Sequence, residues 1–474
     1  MKYSVFIVLF LLGTTSLFAQ NLLGISTSRY GGTNRLYINP SLAADSPSKF
    51  HLNIGTVNLH ANNNYVRYQA PFSFLTLISG NVPNQYRNSD GSVHFETSYT
   101  REILDGNPKN GTLAGEIRGP AFLARMGERG AVAITTRFRA VGQITGASES
   151  LLSVVRAGLG AGALYGIPAS NNQFSANTNT YAELGFTYAG TVWDDGEGQK
   201  LLLGATAKLL LGYNAQQLIN RGMQYRIATD PNNPNSAFLE VNQLDATLNY
   251  TTFLQNRSLS IPNLLSTASP GRGFGFDLGF TYLKQYDLDS PALRLGVALN
   301  DIGGLTYKGE SYSYANIGQN PIRFRSNDFN NLNGTLDIVR VIQNKLNTGR
   351  SPDKNSFQAG LPTSLNVTLD YQLPTGLGLN VMYVQDVRSN AAMAIHQPSI
   401  LAVTPRFDKR WLGLAVPIAY LNKGFTAGAS LRVGPAWLGT DNLLGLLGNR
   451  SNGISPRGLD VYAGLSFGIG EVEE

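Results

Sequence analysis

Residues 363–387 read TSLNVTLDYQLPTGLGLNVMYVQDV. Leu365, Val367, Leu369, Tyr371 and Leu373 take every second position, with Asn366, Thr368, Asp370 and Gln372 between them. A strand has a side-chain period of two, so the pattern predicts one apolar and one polar face. Pro374-Thr375-Gly376 predicts a tight turn, because proline presets φ and glycine supplies a positive φ. Leu377, Leu379, Val381 and Tyr383 then resume the alternation. Each arm is about ten residues, close to what a tilted strand needs to cross a bilayer.

The same unit recurs along the chain. Phe274, Phe276, Leu278, Phe280 and Tyr282 alternate with Gly275, Asp277, Gly279 and Thr281. The stripe from Leu201 to Tyr213 carries Lys208 on its other face, and Val132, Ile134, Thr136 and Phe138 oppose Arg137 and Arg139. Leu459, Val461, Ala463, Leu465, Phe467 and Ile469 oppose Asp460, Tyr462 and Ser466. A soluble sandwich alternates too, with shorter strands and its apolar face inward. Periodicity does not say which face is outside; the chain's start and composition do.

Residues 1–20 read MKYSVFIVLFLLGTTSLFAQ. Lys2, the apolar run Tyr3–Leu12 and Leu17-Phe18-Ala19 before Gln20 predict a signal peptide, since the run is too short to span a membrane. No later stretch approaches 18 consecutive apolar residues. The chain has no cysteine, which excludes disulfides, thiolate metal sites and a cysteine nucleophile. Charged residues are 14% of the chain, against about 25% in ordinary soluble domains. With 52 glycines, 22 phenylalanines and 22 tyrosines, this suits an apolar outer band with aromatic girdles and small residues inside. The net charge of +6 comes from scattered residues, so no nucleic-acid footprint is read.

The expected fold is all-β: a transmembrane up-and-down antiparallel barrel of about 14 strands. It divides into a signal peptide (1–20), an N-terminal segment (21–49) partly filling the lumen, and a barrel (50–470) with a partly helical insertion at 303–362. Candidate strands are 50–60, 94–104, 112–123, 131–141, 181–192, 201–213, 240–254, 272–284, 292–302, 363–373, 377–387, 399–407, 411–421, 424–434 and 458–469. A phase change at Gly55 predicts a bulge. Ser148 is placed to cap a helix carrying Leu151, Leu152, Val155 and Leu159, and Leu336, Val339, Ile342 and Leu346 recur at helical spacing. Residues 435–457 read as one long loop with an apolar centre. Counting strands back from the C-terminus puts the 303–362 insertion in the periplasm, whereas its length argues for the outside.

Little in the sequence points to catalysis. His51, His60, His94 and His396 lack metal-ligand spacing and read as pore-lining or surface residues. Asp194-Asp195-Gly196-Glu197-Gly198 reads as a solvated hairpin turn rather than a calcium loop. Gly271-Arg272-Gly273-Phe274-Gly275 opens a strand, so no helix N-terminus follows to receive a phosphate. No spaced Ser/His/acid set is found, so no enzyme, cofactor or metal is expected. Arg137, Arg139, Lys208, Asp277, Arg294, Asp370 and Arg432 hold polar-face positions in strong strands and are the candidate lumen-lining residues. Pairing of opposite charges inside the barrel is the expected role, ahead of substrate recognition.

Several stretches carry a family resemblance. Tyr37-Ile38-Asn39-Pro40-Ser41-Leu42-Ala43-Ala44-Asp45 resembles the N-terminal "NPA" segment of Bacteroidota barrels of the PorV and FadL-like type. Gly273–Gly279, Leu295-Gly296-Val297 with Asn300–Gly303, Leu361-Pro362-Thr363 and Gly434–Leu444 are similar to motifs of an uncharacterised outer-membrane barrel family of that phylum. Ser41 stands where alanine is usual. Many relatives continue into an OmpA-like domain; this chain ends at Glu474, so peptidoglycan anchoring is not carried over. The resemblance implies location in the outer membrane, in contact with its lipid, and two functions. One is FadL-like passive transport of small or hydrophobic solutes. The other is a PorV-like structural or assembly partnership with envelope or secretion-complex proteins.

Overall fold

The computed structural model describes residues 22–159, 170–230, 233–251, 268–287, 289–317, 321–329, 335–346, 351–389, 394–421 and 423–471. The expected signal peptide and Gly349 lie outside the described residues. Among the described residues twenty-two strands form, of which most join one sheet that closes on itself. In chain order the ring begins with β1 (Ser48–Asn63), with β2 (Val66–Tyr68) and β3 (Thr100–Glu102) set aside as a separate two-stranded sheet. β4 (Lys109–Arg118) and β5 (Ala121–Met126) make the second position together, followed by β6 (Gly130–Ala147), β7 (Ser170–Asp194) and β8 (Gln199–Asp230). β9 (Asn233–Tyr250) stands above the ring, and β10 (Gly271–Lys284) and β11 (Ala292–Ile317) continue it. β12 (Ile322–Arg325) pairs with β9, while β13 (Lys354–Gly360) and β14 (Ser364–Gln372) share one ring position beside β11. β15 (Leu377–Asp386) and β16 (Ile400–Asp408) come next.

Four short strands make two positions: β17 (Leu412–Ala415) with β18 (Ile418–Leu421), and β19 (Gly424–Ala427) with β20 (Ala429–Val433). β21 (Ala436–Thr440) and β22 (Gly458–Glu471) follow, and β22 pairs antiparallel with β1 from Ser48↔Glu471 to Asn62↔Gly458. The result is a ring of 14 strands. The bulge predicted at Gly55 is present, as a register shift between Asn53 and Gly55.

The alternation resolves which face is outside. Leu369 is 41% exposed and its neighbour Asp370 8%. Leu203, Leu209, Phe276, Phe280, Leu414 and Leu465 are exposed, whereas Thr206, Lys208, Asp277 and Thr281 are buried. The apolar faces therefore point out and the polar faces in, the reverse of a soluble sandwich. No helix among the described residues is long and apolar enough to cross a membrane, a finding that says nothing about strands.

Three strand expectations need correction: two of the fifteen candidates leave the ring and one unforeseen strand joins it, which gives the expected 14. Residues 94–104 are not a ring strand: Thr97–Tyr99 is a single 3-10 turn, and β3 pairs only with β2. Of residues 240–254, those up to Tyr250 fall on β9, whose Leu244, Ala246, Leu248 and Tyr250 are buried in a crown that β8, β11 and β12 build beyond the other strands, and 252–254 lie outside the described residues. The "loop" at 435–457 hides β21, entered through Gly434 at φ 56 and Pro435. The missing strand inverted the count for the insertion. Every long connection (64–108, 148–169, 231–270, 318–353, 387–399 and 441–457) leaves from one end of the ring. The short turns 127–129, 195–198, 285–291, 373–376, 409–411 and 434–435 share the other end with Ser48 and Glu471. The rules of length and of counting therefore agree, and the expectation of a periplasmic insertion is withdrawn.

Two helices support the crown. Ser148 caps Glu149–Ala157, accepting from Leu151 N at 3.3 Å, and Leu151 packs on the crown cluster. In the helix Thr335–Leu346, Ile342 and Leu346 pack on the same cluster. Near the rim, the hydrogen bond from Lys109 holds the Asp105 carboxyl below its ordinary range.

A lysine placed mid-bilayer on a lipid face costs about 2–4 kcal/mol and much less on the inner face. Leu369→Lys is expected to lower the temperature at which the folded band is lost on unheated gels, and Thr368→Lys to leave it nearly unchanged. Equal losses would show that the two faces do not differ.

Candidate functional site: the charge-paired interior and the N-terminal segment

The inward faces carry charge in quantity. All seven candidate lumen residues are buried, and each is in an ion pair. Arg137 meets Glu183 at 2.8 Å and Asp301 at 3.2 Å; Arg139 meets Asp301 at 2.7 Å and donates to Tyr181 Oη at 3.0 Å. Lys208 reaches Asp277 at 2.6 Å and also Asp301. On β4, beside β6, Arg118 pairs with Glu116 two residues before it. Four carboxylates (Glu116, Glu183, Asp277, Asp301) thus face four cations (Arg118, Arg137, Arg139, Lys208) across β4, β6, β7, β8, β10 and β11. Buried charges persist only when paired in this way.

A second set continues around the wall. Arg294 holds Asp45 at 2.8 Å and faces Asp370 at 3.6 Å. Asp370 takes Arg406 at 2.6 Å, and Asp408 takes Arg432 at 3.0 Å. The first set joins Arg137, Arg139, Lys208 and Asp277; the second joins Arg294, Asp370 and Arg432.

Sequence reasoning missed Asp45, Glu116, Arg118, Glu183, Asp301, Arg406 and Asp408. Glu116, Arg118 and Glu183 sit at polar-face positions and were legible by the same rule as Arg137. Asp301 was not: it lies at a bulge between β10 and β11 with φ 56, so its carboxyl leaves the alternation. Its N–H donates to Asp277 Oδ1 at 2.7 Å, which holds this strained residue among three cations.

The N-terminal segment is bonded to this interior residue by residue. Leu23 N donates to Asp441 at 3.0 Å and Gly24 N to Tyr462 Oη at 3.1 Å. Ser28 Oγ and Arg29 N both donate to Asp408 at 2.8 Å. The Tyr37 ring lies between the guanidinium groups of Arg118 and Arg137, at 4.3 and 4.6 Å. Asn300 and Asn366 donate to Ile38 O at 2.8 and 3.1 Å.

At Asn39-Pro40-Ser41 the chain makes a short 3-10 turn, with proline at the first helical position and Asn39 Oδ1 accepting from Ser41 N at 3.0 Å. Asn39 Nδ2 donates to Phe280 O and Thr281 Oγ1, and Ser41 Oγ sits 2.7 Å from Thr281 Oγ1. The alanine usual at that place has no hydroxyl for this contact. The wall beneath is glycine. A Cβ on Gly204 would strike the backbone of Pro40 and Ser41, and one on Gly279 would strike the Asn39 side chain and the Pro40 ring. Gly204 and Gly279 are direct partners on β8 and β10. The turn therefore rests on bare backbone.

The histidines divide. His51 is buried against Gly32, His60 Nδ1 lies 3.2 Å from Asp460, His94 is exposed, and His396 Nδ1 lies 2.7 Å from Asp386. No group of three His, Asp or Glu among the described residues is placed to hold a metal ion. Asp194–Gly198 forms the turn between β7 and β8, and Gly271 opens β10.

A family model matches residues 40–441, from Pro40 of the seated turn to Asp441, which binds Leu23. The chain belongs to DUF5723, a family of unknown function. Comparison with the curated proteins finds no match. Among solved structures it is similar to the toluene transporter TbuX of Ralstonia pickettii, at 13% identity and TM-score 0.37, covering 94% of this chain and 96% of that one. It is also similar to a FadL homologue of Pseudomonas aeruginosa (12% identity, TM-score 0.38, covering 95% and 98%) and to a mutant of the monoaromatic hydrocarbon channel TodX (12%, 0.38, 95% and 96%). At these scores the likenesses carry no argument about function.

Two substitutions test this arrangement. Lys208→Met strands Asp277 and is expected to cost about 3–5 kcal/mol in urea unfolding, much of it recovered by Asp277→Leu in the same chain. Gly279→Ala overpacks the seat at a cost of about 1–3 kcal/mol. Trypsin should then cut the folded protein at Arg29 or Arg35 about tenfold faster than wild type, while the ring keeps its gel mobility.

Proposed function

We propose that the protein is an outer-membrane barrel that lets small apolar solutes pass and is closed by its own N-terminal segment, residues 22–46. The observation that carries this reading is an apolar, aromatic cluster beside the charged belt, on the long-connection side. It comprises Tyr181, Leu210, Leu305, Tyr307, Phe357 and Leu361, with Tyr307 and Phe357 stacked at 5.6 Å. These side chains are buried, so a solute moving through the ring from that side would part apolar groups before it reached charge, unlike in the polar, water-lined interior of a porin. The exposed band of Leu203, Phe276, Leu369 and Leu465 supports placement in a lipid bilayer. Long connections outside and short turns in the periplasm give the orientation. The seven charged candidates then act first as lumen-lining partners that seat the segment.

A second reading, an assembly partner of an envelope complex, has one observation in its favour. The short helices Phe74–Ile78 and Leu443–Leu447 pack together and leave Leu75, Ile78 and Leu444 about half exposed.

Cells making the protein are expected to take up a small aromatic hydrocarbon faster than cells without it. Deleting residues 22–46 should raise ion conductance in planar bilayers. No uptake, no conductance in the deletion variant and a stoichiometric partner recovered in mild detergent would reject transport and favour assembly.

A further inference from the structure

The glycine seat has a counterpart on the outside of the wall. Because Gly204 and Gly279 present only backbone inward, β8 and β10 lie directly against the Asn39-Pro40-Ser41 turn. Ala298 pairs with Gly279 and Gly296 with Thr281, so β11 is equally bare at this height. Over the same strands the outer surface, which in a barrel is normally convex, holds a groove of about 950 Å³. Its walls include Leu203, Ala205, Leu278, Phe280 and Val297, all on the outward face. The groove starts at the short turn 127–129, where Arg129 lines it, and climbs across β7, β8, β10 and β11 to Leu365 on β14. Arg129 is exposed and makes no ion pair among the described residues. Tyr188 stands beside it.

We propose that this groove is a phospholipid site: an acyl chain lies along Ala205, Leu278 and Phe280, and the headgroup phosphate is held by Arg129. Three observations select this occupant. The groove opens in the apolar band, so what fills it comes from the bilayer. Its size lies in the range of pockets that enclose whole small ligands. Its one charged lining residue is a guanidinium at the end of the barrel where headgroups lie, suited to a phosphate by charge and by its fork of donors. The assignment to a periplasmic-leaflet phospholipid rests on the orientation proposed above. It does not depend on transport.

The site also touches the segment within, since one backbone layer, Gly204 and Gly279, separates the acyl chain from Pro40 and Ser41. A bound lipid therefore supports from outside the wall on which the segment rests from inside.

Native mass spectrometry of the full-length protein, released from micelles containing phosphatidylglycerol and phosphatidylethanolamine, tests the site. Wild type is expected to retain one or two phospholipids. Arg129→Gln, which removes a charge-assisted bond, should cut retention about tenfold, and Arg129→Lys should restore part of it. Ala205→Trp, which fills the groove, should cut retention similarly. Leu414→Trp, on the outward face of β17 and outside the groove, should not. Gel mobility before heating reports whether each variant folds. Wild-type retention by folded Arg129→Gln and Ala205→Trp, or equal loss in Leu414→Trp, would overturn the proposal. Co-purification of lipopolysaccharide in place of phospholipid would overturn the leaflet and the orientation together, leaving transport untouched.

Discussion

A strand surrounded by lipid has no water for its N–H and C=O groups, so every edge must be paired. The pairing of β22 with β1 meets that requirement, and much else follows from it. Once the ring closes, the polar face of each strand is enclosed with the others, and charges that would be hydrated on a soluble sheet must find partners. Glu116, Glu183, Asp277 and Asp301 against Arg118, Arg137, Arg139 and Lys208 are that solution. The N-terminal segment completes it: Tyr37 covers two guanidinium groups, and Asp45 answers Arg294.

Much of the ring was legible because a strand with one face in lipid has to alternate without lapse. Leu369 against Asp370, and Phe276 against Asp277, are the rule in its plainest form. The same rule placed Arg137, Arg139 and Lys208 in the interior. It failed where the backbone leaves the ladder. Asp301 sits in a bulge, so no count of alternate positions reaches it. β21 is five residues with a tryptophan inward and glycine in its ladder, directly after Gly434-Pro435, and it carries too little pattern to announce itself. β9 alternates well but is buried on both sides, because the crown gives it a second layer. Asp45 lies in a segment with no period at all; only the three-dimensional position of Arg294 gives it a role.

Glycine does different work in the wall and in the turns. At Gly376 a positive φ of 98° closes the turn from β14 to β15. At Gly204 and Gly279 the conformation is ordinary, and the missing side chain is what matters, because it lets a turn from another part of the chain lie on the strands. Glycine is therefore a packing residue at the seat, and its cost in chain entropy is set against the close fit of Asn39 and Pro40.

The bond from Gly24 to Tyr462 spans 438 residues of sequence. Contacts so remote cannot form while the chain is emerging; they wait for the last strand. Leu23 likewise depends on Asp441, and Ser28 on Asp408, so these first residues bond to groups that come late in the chain. The segment therefore takes its final contacts only once the last strands are there to receive them. Its seating is a matter of timing: the first residues of the described chain are fixed by groups made last, and an ending that stalls leaves the beginning without a place.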